Sequence, residues 1–200
     1  PITERYTMII GICGKKRHGK NTVANIIKQN YGSYTIAFAD PIKHACMDWW
    51  QLSYEQMYGD DLKEVVDERW GKSPRQFMQL LGAEVARNIH PETWARLCLQ
   101  NIKDADAGRM PWVHDEDARS FLPAPTDVKI WCISDVRYPN EAALIRQHGG
   151  KILKVVRPSI VNDDTHSSEI HIDDIEGDGT ILNDTYAQLE QDVLAWMQTL

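Results

Sequence analysis

The sequence predicts an α/β domain in which a doubly wound, mostly parallel sheet is flanked by helices. Residues 7–13 form a short, nearly continuous apolar run, which is typical of a strand buried on both faces. A glycine-rich loop and a helical apolar pattern follow it, and further apolar runs alternate with helical segments along the chain. Two hundred residues, 42% of them hydrophobic, suffice for one domain over positions 1–200.

The first half of the chain is predicted to alternate strand and helix before it becomes helical. Apolar residues at helical spacing after the glycine loop predict a helix that ends near residue 32. Residues 34–39 predict a second strand, and Asp40 and Pro41 have the N-cap and first-turn pattern of a new helix. Two further helices are predicted to begin near residues 73 and 91, where Pro occupies the first turn.

The second half contains an irregular segment followed by a return to alternation. Residues 104–127 hold three prolines and mixed charge without clear periodicity, and we predict a mobile surface insertion there. Beyond this segment, strands are predicted over 128–133, 151–156 and 180–182, and helices over about 140–148 and from about residue 185.

Composition restricts the classes of function. The chain has 22 basic and 29 acidic residues, a balance that argues against sequence-independent binding to nucleic acid. Four scattered cysteines without a Cys-x-x-Cys pair predict buried free thiols rather than disulfides. No run of about 18 apolar residues and no signal-peptide pattern is present, so a soluble cytoplasmic protein without a membrane partner is expected.

Residues 14–20 have the spacing Gly-x4-Gly-Lys of a phosphate-binding loop, hereafter the P-loop. Gly14 and Gly19 allow successive backbone N–H groups to face an anion, and the following helix N-terminus adds partial positive charge. Lys20 would then reach the β- and γ-phosphates of a nucleotide. The alternative is a basic turn that happens to contain two glycines. The strand before the loop and the helix after it favour binding of a nucleoside triphosphate.

Position 21, where this motif usually has Ser or Thr, is Asn. An amide oxygen is a weaker Mg²⁺ ligand than the usual hydroxyl but a chemically acceptable one. The Thr22 hydroxyl can bond a phosphate, and a metal could also be held largely by phosphates and water. Asn21 is therefore a weak candidate metal ligand, and the metal geometry stays open.

Five segments of the chain, in order over residues 8 to about 185, carry a family resemblance. They are GKKRHGKNTVANII in the P-loop and its helix, ADPIK at 39–43, RQFMQLLG at 75–82 with Trp94 beyond it, DVR at 135–137 with Glu141, and VVRP at 155–158 followed by the polar stretch to Glu169. Together these segments resemble the deoxynucleoside monophosphate kinases of tailed bacteriophages. One such motif alone would be a weak signal, but five in register are a strong one.

The resemblance implies a P-loop kinase domain of the nucleoside-monophosphate-kinase type. It implies transfer of the γ-phosphoryl group of ATP to a deoxynucleoside 5′-monophosphate with Mg²⁺, for phage DNA precursor synthesis. It also implies a helical acceptor-binding region within about 40–127 and a lid over about 157–172. Two features depart from the family: Asn21 replaces an acidic residue, and the chain is short between Lys43 and Arg75 but long at 104–127. Both departures could alter base selection.

The P-loop and the resemblance together give three groups of candidate site residues. Predicted catalytic residues are Lys20, Arg17, Arg137 and Asp135. Predicted ATP-binding residues are Gly14, Lys16, Arg17, Gly19, Lys20, Asn21, Thr22 and Arg157. Predicted acceptor-binding residues are Lys43, Arg75, Gly82, Trp94, Asp135, Arg137 and Glu141.

Most of these residues have a structural alternative. A lysine or arginine at a helix start is usually solvated, which applies to Lys43 and Arg75 when each is taken alone. Asp135 and Arg137, directly after a predicted strand, could form a mutual salt bridge. Trp94 lies on an apolar helix stripe, where core packing is the default, and Glu141 could lie on a solvated face.

Two other functions remain open at this stage. One is a P-loop kinase that acts on a modified base in DNA or on another small hydroxyl compound. The other is a non-catalytic nucleotide-binding protein in which Asn21 marks lost activity. Small nucleotides are the expected partners, nucleic acid is not expected, and a homodimer is left open. A phage-encoded kinase would work in the host cytoplasm.

Overall fold

The structure, a computed structural model, describes residues 7–160 and 170–200. The strands within these ranges are β1 (Met8–Cys13), β2 (Tyr34–Ile36), β3 (Trp112–Asp115), β4 (Ser120–Pro123), β5 (Ile130–Val136), β6 (Lys151–Val156) and β7 (Gly179–Leu182). Five of them form a central sheet in the order β2-β5-β1-β6-β7, and every pairing in it is parallel. The predicted parallel α/β sheet is therefore confirmed.

The helices flank this sheet and fill the chain between β2 and β3. Those described are α1 (Lys20–Tyr31), α2 (Asp40–Trp50), α3 (Tyr54–Tyr58), α4 (Pro74–Gln79), α5 (Ala86–Ile89), α6 (Thr93–Asp106), α7 (Pro139–Gln147) and α8 (Tyr186–Met197). A π-helical turn, Leu80–Val85, joins α4 to α5. The start of α4 is fixed by a capping box between Ser73 and Gln76, with Pro74 in the first turn.

The central strand β1 explains the continuous apolar run at the start of the chain. Because successive side chains of a strand point to opposite faces, both faces of β1 must be covered. Ile9 packs in a cluster with residues of α6 and α7, whereas Ile10 and Ile12 pack in a second cluster with residues of α1 and α8. The prediction of a strand buried on both faces is thus confirmed.

Residues 104–127, predicted to be an irregular surface insertion, contain regular structure instead. Helix α6 continues to Asp106, and β3 and β4 pair antiparallel in a hairpin. Val113, His114 and Phe121 of this hairpin are buried, and the hydroxyl of Tyr34 in β2 donates to the His114 carbonyl at 3.3 Å. The hairpin therefore covers the edge of the main sheet. Its prolines precede β3 and end β4, positions that do not interrupt the pairing.

The four cysteines are free thiols and all are buried, as predicted. Burial raises the pKa of Cys13 to about 11 and that of Cys132 to about 12, so both thiols are protonated at neutral pH. Within residues 7–160 and 170–200, no helix has the length and apolar character needed to span a membrane.

Candidate active site

The P-loop leads from the carboxyl end of β1 into α1, which begins at Lys20. Three of its residues have positive φ: Gly14 (156°), Arg17 (66°) and Gly19 (97°). Such conformations turn successive N–H groups toward one point, where they can bind an anion. Within the described residues no side chain caps the start of α1, and its first turn contains no acidic residue. The helix end and the loop together form an electropositive cradle.

Neither glycine of the loop can be replaced without a steric conflict. A Cβ on Gly14 would lie 2.5 Å from the Val155 carbonyl oxygen of β6. A Cβ on Gly19 would collide with the side-chain amide of Asn183. Both positions also have backbone angles that side chains other than glycine rarely adopt. The loop is thus pressed closely against the ends of β6 and β7.

The Lys20 side chain folds back onto the P-loop backbone. Its ammonium group donates to the carbonyl oxygens of Gly14 at 2.6 Å and Lys15 at 3.0 Å. Lys16 and Arg17 lie exposed on the outside of the same loop. Of the cations predicted from the motif, Lys20 is thus half-buried and bonded to the loop backbone, whereas Lys16 and Arg17 are exposed.

Two residues that the sequence analysis missed hold the loop in place. The Asn183 side-chain amide, directly after β7, donates to the His18 carbonyl oxygen at 2.9 Å. The ring of His18 is buried, with Nδ1 3.4 Å from the Val155 carbonyl oxygen and 3.3 Å from the Arg157 amide nitrogen. Ligand sites of parallel sheets lie at the carboxyl ends of the strands, so the position of Asn183 directly after β7 could have identified it as a site residue.

Replacing Asn183 by alanine is expected to loosen the P-loop. The change removes the donor to the His18 carbonyl, so the unfolding free energy should fall by about 1–3 kcal/mol and the KM for ATP should rise. Asn30→Ala is the matched control, since the Asn30 amide donates to the Ile26 carbonyl at 2.9 Å on α1 outside the site. Urea unfolding and ATP kinetics measure both effects. An equal response of the two variants would contradict this role.

Strand register brings the predicted arginines to the P-loop. Val136 of β5 lies opposite Cys13 of β1, the residue before Gly14. Arg137 therefore follows β5 directly beside the loop, where its side chain is half-buried. On the other side of β1, the end of β6 lies against Gly14, and the exposed Arg157 follows it. This is the sheet edge at which ligands of open α/β sheets collect.

Asp135 fixes the turn between β2 and α2. Its two carboxylate oxygens accept hydrogen bonds from the backbone N–H groups of Phe38, at 2.7 Å, and Ala39, at 3.0 Å. The predicted strand over 34–39 accordingly stops at Ile36, because these amides bond the carboxylate instead of a neighbouring strand. Asp135 thus ties β5 to the start of α2.

Lys43 lies in the first turns of α2 among acidic and aromatic groups. Its ammonium nitrogen is 3.8 Å from a carboxylate oxygen of Asp40 and 3.9 Å from the centre of the Tyr58 ring. Burial lowers the pKa of Lys43; Asp40 and Asp135 oppose that effect, and the positive charges of Lys63 and Arg137 add to it. Lys63, which the sequence analysis did not single out, belongs to the same cationic group.

Asp40 is a buried carboxylate with several partners. It accepts from the Ala37 amide at 2.7 Å and from the Tyr58 hydroxyl at 3.1 Å. Burial nevertheless raises the pKa of Asp40 to about 6, against the opposing effect of Lys43. The carboxylate is therefore expected to take up a proton in mildly acidic solution.

Asp40 is expected to reduce stability as the pH rises from about 4 to about 7. Its folded pKa of about 6 exceeds the value of 3.8 expected without burial, so in this range the folded protein retains a proton that the unfolded chain has lost. The unfolding free energy of the wild type relative to Asp40→Asn should fall by on the order of 2 kcal/mol across this range. Urea unfolding at both ends measures this change.

A relative stability that does not change with pH would contradict the buried-carboxylate assignment. The comparison with Asp40→Asn is necessary because His114 titrates in an overlapping range. Burial lowers the pKa of His114 to about 4, so its contribution to stability has the opposite sign. The pH dependence of wild-type stability alone would combine the contributions of Asp40 and His114.

Glu141 is buried at the start of α7, and both of its carboxylate oxygens accept hydrogen bonds. One oxygen accepts from the backbone N–H groups of Arg137, at 2.9 Å, and Tyr138, at 3.1 Å. The other accepts from the Arg87 guanidinium at 2.8 Å, and that guanidinium lies over the Tyr138 ring at 4.0 Å. Burial raises the pKa of Glu141, and the backbone N–H of Arg137 and then the Arg87 charge oppose the rise. Arg87, missed by the sequence analysis, thus joins α5 to the backbone of Arg137.

The remaining predicted acceptor residues lie on the helical segment beyond α3. Arg75 forms an ion pair with Glu64, and its backbone N–H donates to the Lys63 carbonyl at 3.0 Å. The indole N–H of Trp94 donates to the Gly82 carbonyl at 2.9 Å, and its ring packs against two core clusters. The core-packing alternative for Trp94 is therefore seen, while its contact with an acceptor stays a prediction.

The fold and the cradle define a protein class. A parallel sheet whose central strand enters a helix through a P-loop is that of a P-loop kinase-type α/β protein. The crystal structure of TT1252 from Thermus thermophilus shares this fold, with a TM-score of 0.50 and 15% identity over 97% of both chains.

Sequence comparison identifies the family. Residues 8–68 and 60–193 match the family described as deoxynucleotide monophosphate kinase. A putative deoxynucleotide monophosphate kinase of Acanthamoeba polyphaga mimivirus is 34% identical over 88% of this chain and 87% of its own length. The deoxynucleotide monophosphate kinase of Enterobacteria phage T4 is 22% identical over 88% and 92%, respectively. The chain belongs to the deoxynucleotide monophosphate kinase family and is a nucleotide kinase.

Proposed function

We propose that this kinase transfers the γ-phosphoryl group of ATP to a deoxynucleoside 5′-monophosphate and so supplies diphosphates for viral DNA synthesis. The register that brings Arg137 beside Gly14 is the observation that carries the proposal. It gives the cradle a second cationic group on the side of β5, where an acceptor phosphate would have to meet the γ-phosphate. The helical region within about 40–127 would bind this acceptor.

The donor would be held by the P-loop. Phosphoryl transfer requires positioning and neutralisation of charge, with little covalent chemistry from the protein. The loop amides and the α1 N-terminus would bind the phosphates of ATP, and Lys20 would move from its carbonyl partners to the β- and γ-phosphates. Lys16, Arg17 and Arg157 would neutralise charge from the outside. The proposed lid over about 157–172 includes residues 161–169, which lie outside the described residues.

The acceptor would be held by a second group of cations. Lys43 and Arg137 would bind its phosphate, and Arg75 would join them by exchanging Glu64 for the anion, since guanidinium groups bind phosphate bidentately. Asp135 and Glu141 would act mainly through the backbone, because their oxygens hold the β2–α2 turn and the start of α7. The acceptor oxygen is already largely ionised at neutral pH, so the reaction needs no general base.

Thr22 and Asn21 are the residues that would hold Mg²⁺, whose chemistry would be to neutralise the charge that develops on the phosphates during transfer. The Thr22 hydroxyl oxygen lies 4.0 Å from the position that a Cβ on Gly19 would occupy, so it faces the loop. This hydroxyl is a hard oxygen donor that suits Mg²⁺, and the exposed Asn21 amide is a weaker one. Phosphates and water would supply the other ligands.

A coupled assay of ADP release tests the proposal. The acceptors are dAMP, dGMP, dCMP, dTMP and a 5-substituted deoxyuridylate, each with ATP and Mg²⁺, and turnover of at least one of them is expected. Single-stranded DNA serves as the competing acceptor. Turnover of DNA alone would favour the kinase of a modified base, and ATP binding without any turnover would favour a non-catalytic protein. Either result rejects the proposal.

A further inference from the structure

Arg87 lies in the helical region of the chain, yet its side chain reaches the start of α7. It belongs to α5, which follows the π-helical turn. One terminal guanidinium nitrogen donates to a Glu141 carboxylate oxygen at 2.8 Å, and the other donates to the Pro91 carbonyl oxygen at 3.2 Å. The guanidinium carbon lies 4.0 Å from the centre of the Tyr138 ring. Arg87 therefore contacts the turn before α6 and the start of α7 at the same time.

The two groups that Arg87 contacts at the start of α7 both restrict the backbone at Arg137. The Glu141 oxygen that does not bond Arg87 accepts from the backbone N–H groups of Arg137 and Tyr138, at 2.9 and 3.1 Å. Tyr138 follows Arg137 directly in the chain, so a ring held by Arg87 also limits movement of the preceding residue. Arg87 thus holds the carboxylate and the ring between which the Arg137 backbone is fixed.

The Glu141 carboxylate is too well buried for water to replace a lost partner. Only 3% of Glu141 and 22% of the Arg87 side chain are exposed. Without the guanidinium, the charge of Glu141 would remain buried without compensation, and the carboxylate would have to turn toward solvent or another donor. The backbone N–H groups bonded to its other oxygen would move with it.

Arg137 is sensitive to such a movement because it lies beside the P-loop. Strand register places it next to Gly14, where the proposed function has its guanidinium bind the acceptor phosphate. A misplacement of about 1 Å caused by a mutation far from the chemistry can lower the rate of an enzyme about 100-fold. Loss of Arg87 would therefore affect the reaction through Arg137, without any contact between Arg87 and a substrate.

The shape of arginine suits this position better than that of lysine. A guanidinium group is flat, so it can donate within its plane to Glu141 and Pro91 while its face lies over the Tyr138 ring. A lysine ammonium is a point charge on a flexible chain and cannot make all of these contacts at once. The contact depends on shape as well as on charge, and Arg87→Lys separates the two.

We propose that Arg87 is a positioning residue of the transfer reaction, which holds Arg137 beside the P-loop through Glu141 and Tyr138. The inference rests on the proposed function, in which Arg137 binds the acceptor phosphate, and it adds the group that fixes Arg137 there. Because α5 belongs to the helical region, the same contact connects that region to the cation beside Gly14.

A double-mutant cycle tests whether Arg87 acts through Arg137. In the wild-type background, Arg87→Ala should lower kcat/KM for the best dNMP by about 10- to 100-fold and leave the KM for ATP unchanged. In an Arg137→Ala background, the same substitution should cost less than about threefold, because the side chain that Arg87 positions is already absent. An equal loss in both backgrounds would overturn the inference, since Arg87 would then act independently of Arg137.

Two further variants control for charge and for folding. Arg96→Ala is the matched control, because Arg96 is exposed and pairs with Glu92 one turn away, so kcat/KM should not change. Arg87→Lys keeps the charge beside Glu141 and is expected to fold even if the alanine variant does not, which urea unfolding shows. It should reproduce most of the loss in kcat/KM. A lysine variant with the full wild-type kcat/KM would overturn the inference, because charge alone would then suffice.

A measurement without an acceptor separates this inference from the proposed function. The NMR signal of the Arg137 Nε–H group, identified by its loss in Arg137→Ala, reports how ordered that side chain is. Its heteronuclear NOE should fall in Arg87→Ala but not in Arg96→Ala. An unchanged NOE would overturn the inference, while turnover of a dNMP by the wild type would leave the proposed function standing. If the wild type turned over no dNMP, the proposed function would fail, and the NOE would still decide whether Arg87 orders Arg137.

Discussion

Replacing Lys20 by methionine is expected to lower kcat by at least about 100-fold, the typical cost of removing one preorganised group that stabilises transition-state charge. Methionine keeps the length of the side chain but removes its charge. The ammonium now contacts the Gly14 and Lys15 carbonyl oxygens at the centre of the P-loop, where the phosphates of ATP would lie. The KM for the acceptor should change little, because the acceptor site contains other cations. Steady-state kinetics with ATP and the best dNMP measure both constants.

Lys28→Met is the control for this prediction. Lys28 lies two turns further along α1 and pairs with Asp117 at the surface, so its loss should cost less than about 1 kcal/mol of stability and no activity. Circular dichroism and urea unfolding show whether each variant is folded. A folded Lys20→Met protein that retains more than about one tenth of the wild-type kcat would contradict the role given to Lys20.

Replacing Glu141 by alanine is expected to lower the unfolding free energy by about 3 kcal/mol or more. Only 3% of Glu141 is exposed, and the change leaves two backbone N–H groups and the Arg87 guanidinium without their acceptor. Burial, and after it the charge of Asp135, raises the pKa of Glu141 against the opposing effects of the Arg137 backbone N–H and the Arg87 charge. Most of the lost stability would come from leaving the two N–H groups and the Arg87 guanidinium without an acceptor, and less of it from losing the attraction within the ion pair.

Glu92→Ala provides the comparison, since Glu92, directly before α6, pairs with the exposed Arg96 one turn further along. Surface pairs of this spacing contribute about 0.3–0.5 kcal/mol. The unfolding free energy should therefore fall several-fold more in Glu141→Ala than in Glu92→Ala. Urea unfolding measures the free energies. The Glu141 change should also weaken acceptor binding, because the Arg137 backbone would lose its anchor. Equal destabilisation by the two substitutions would contradict the assignment.

The sequence was sufficient for the parts of the fold that depend on local patterns. The P-loop lies between a strand with both faces buried and an amphipathic helix, and each of these has a signature within about a dozen residues. The β3–β4 hairpin was missed because each of its strands has four residues. Its order comes from contacts with β2, such as those of the Tyr34 hydroxyl with His114 and Asp115, about 80 positions further along the chain.

The residues of the candidate site also fall into two groups, those that a local sequence pattern predicts and those that it does not. Gly14, Gly19 and Lys20 follow from a motif, and Arg137 follows from its place after a strand. The partners that fix the site do not: Arg87 reaches Glu141 across 54 positions, and Asn183 reaches His18 across 165. A side chain whose partner is so distant has no local pattern, so only the folded chain reveals it.

The place of β1 in the sheet has a consequence for how the protein is made. Among the strands that the structure describes, β1 is synthesised first, yet its neighbours β5 and β6 begin only at Ile130 and Lys151. Its apolar residues therefore stay without either neighbouring strand until β5 and β6 have been synthesised, and closing so long a loop is slow. During that interval the nascent chain exposes an unpaired hydrophobic strand, which makes it a natural client for chaperones and a source of aggregation when synthesis outpaces them.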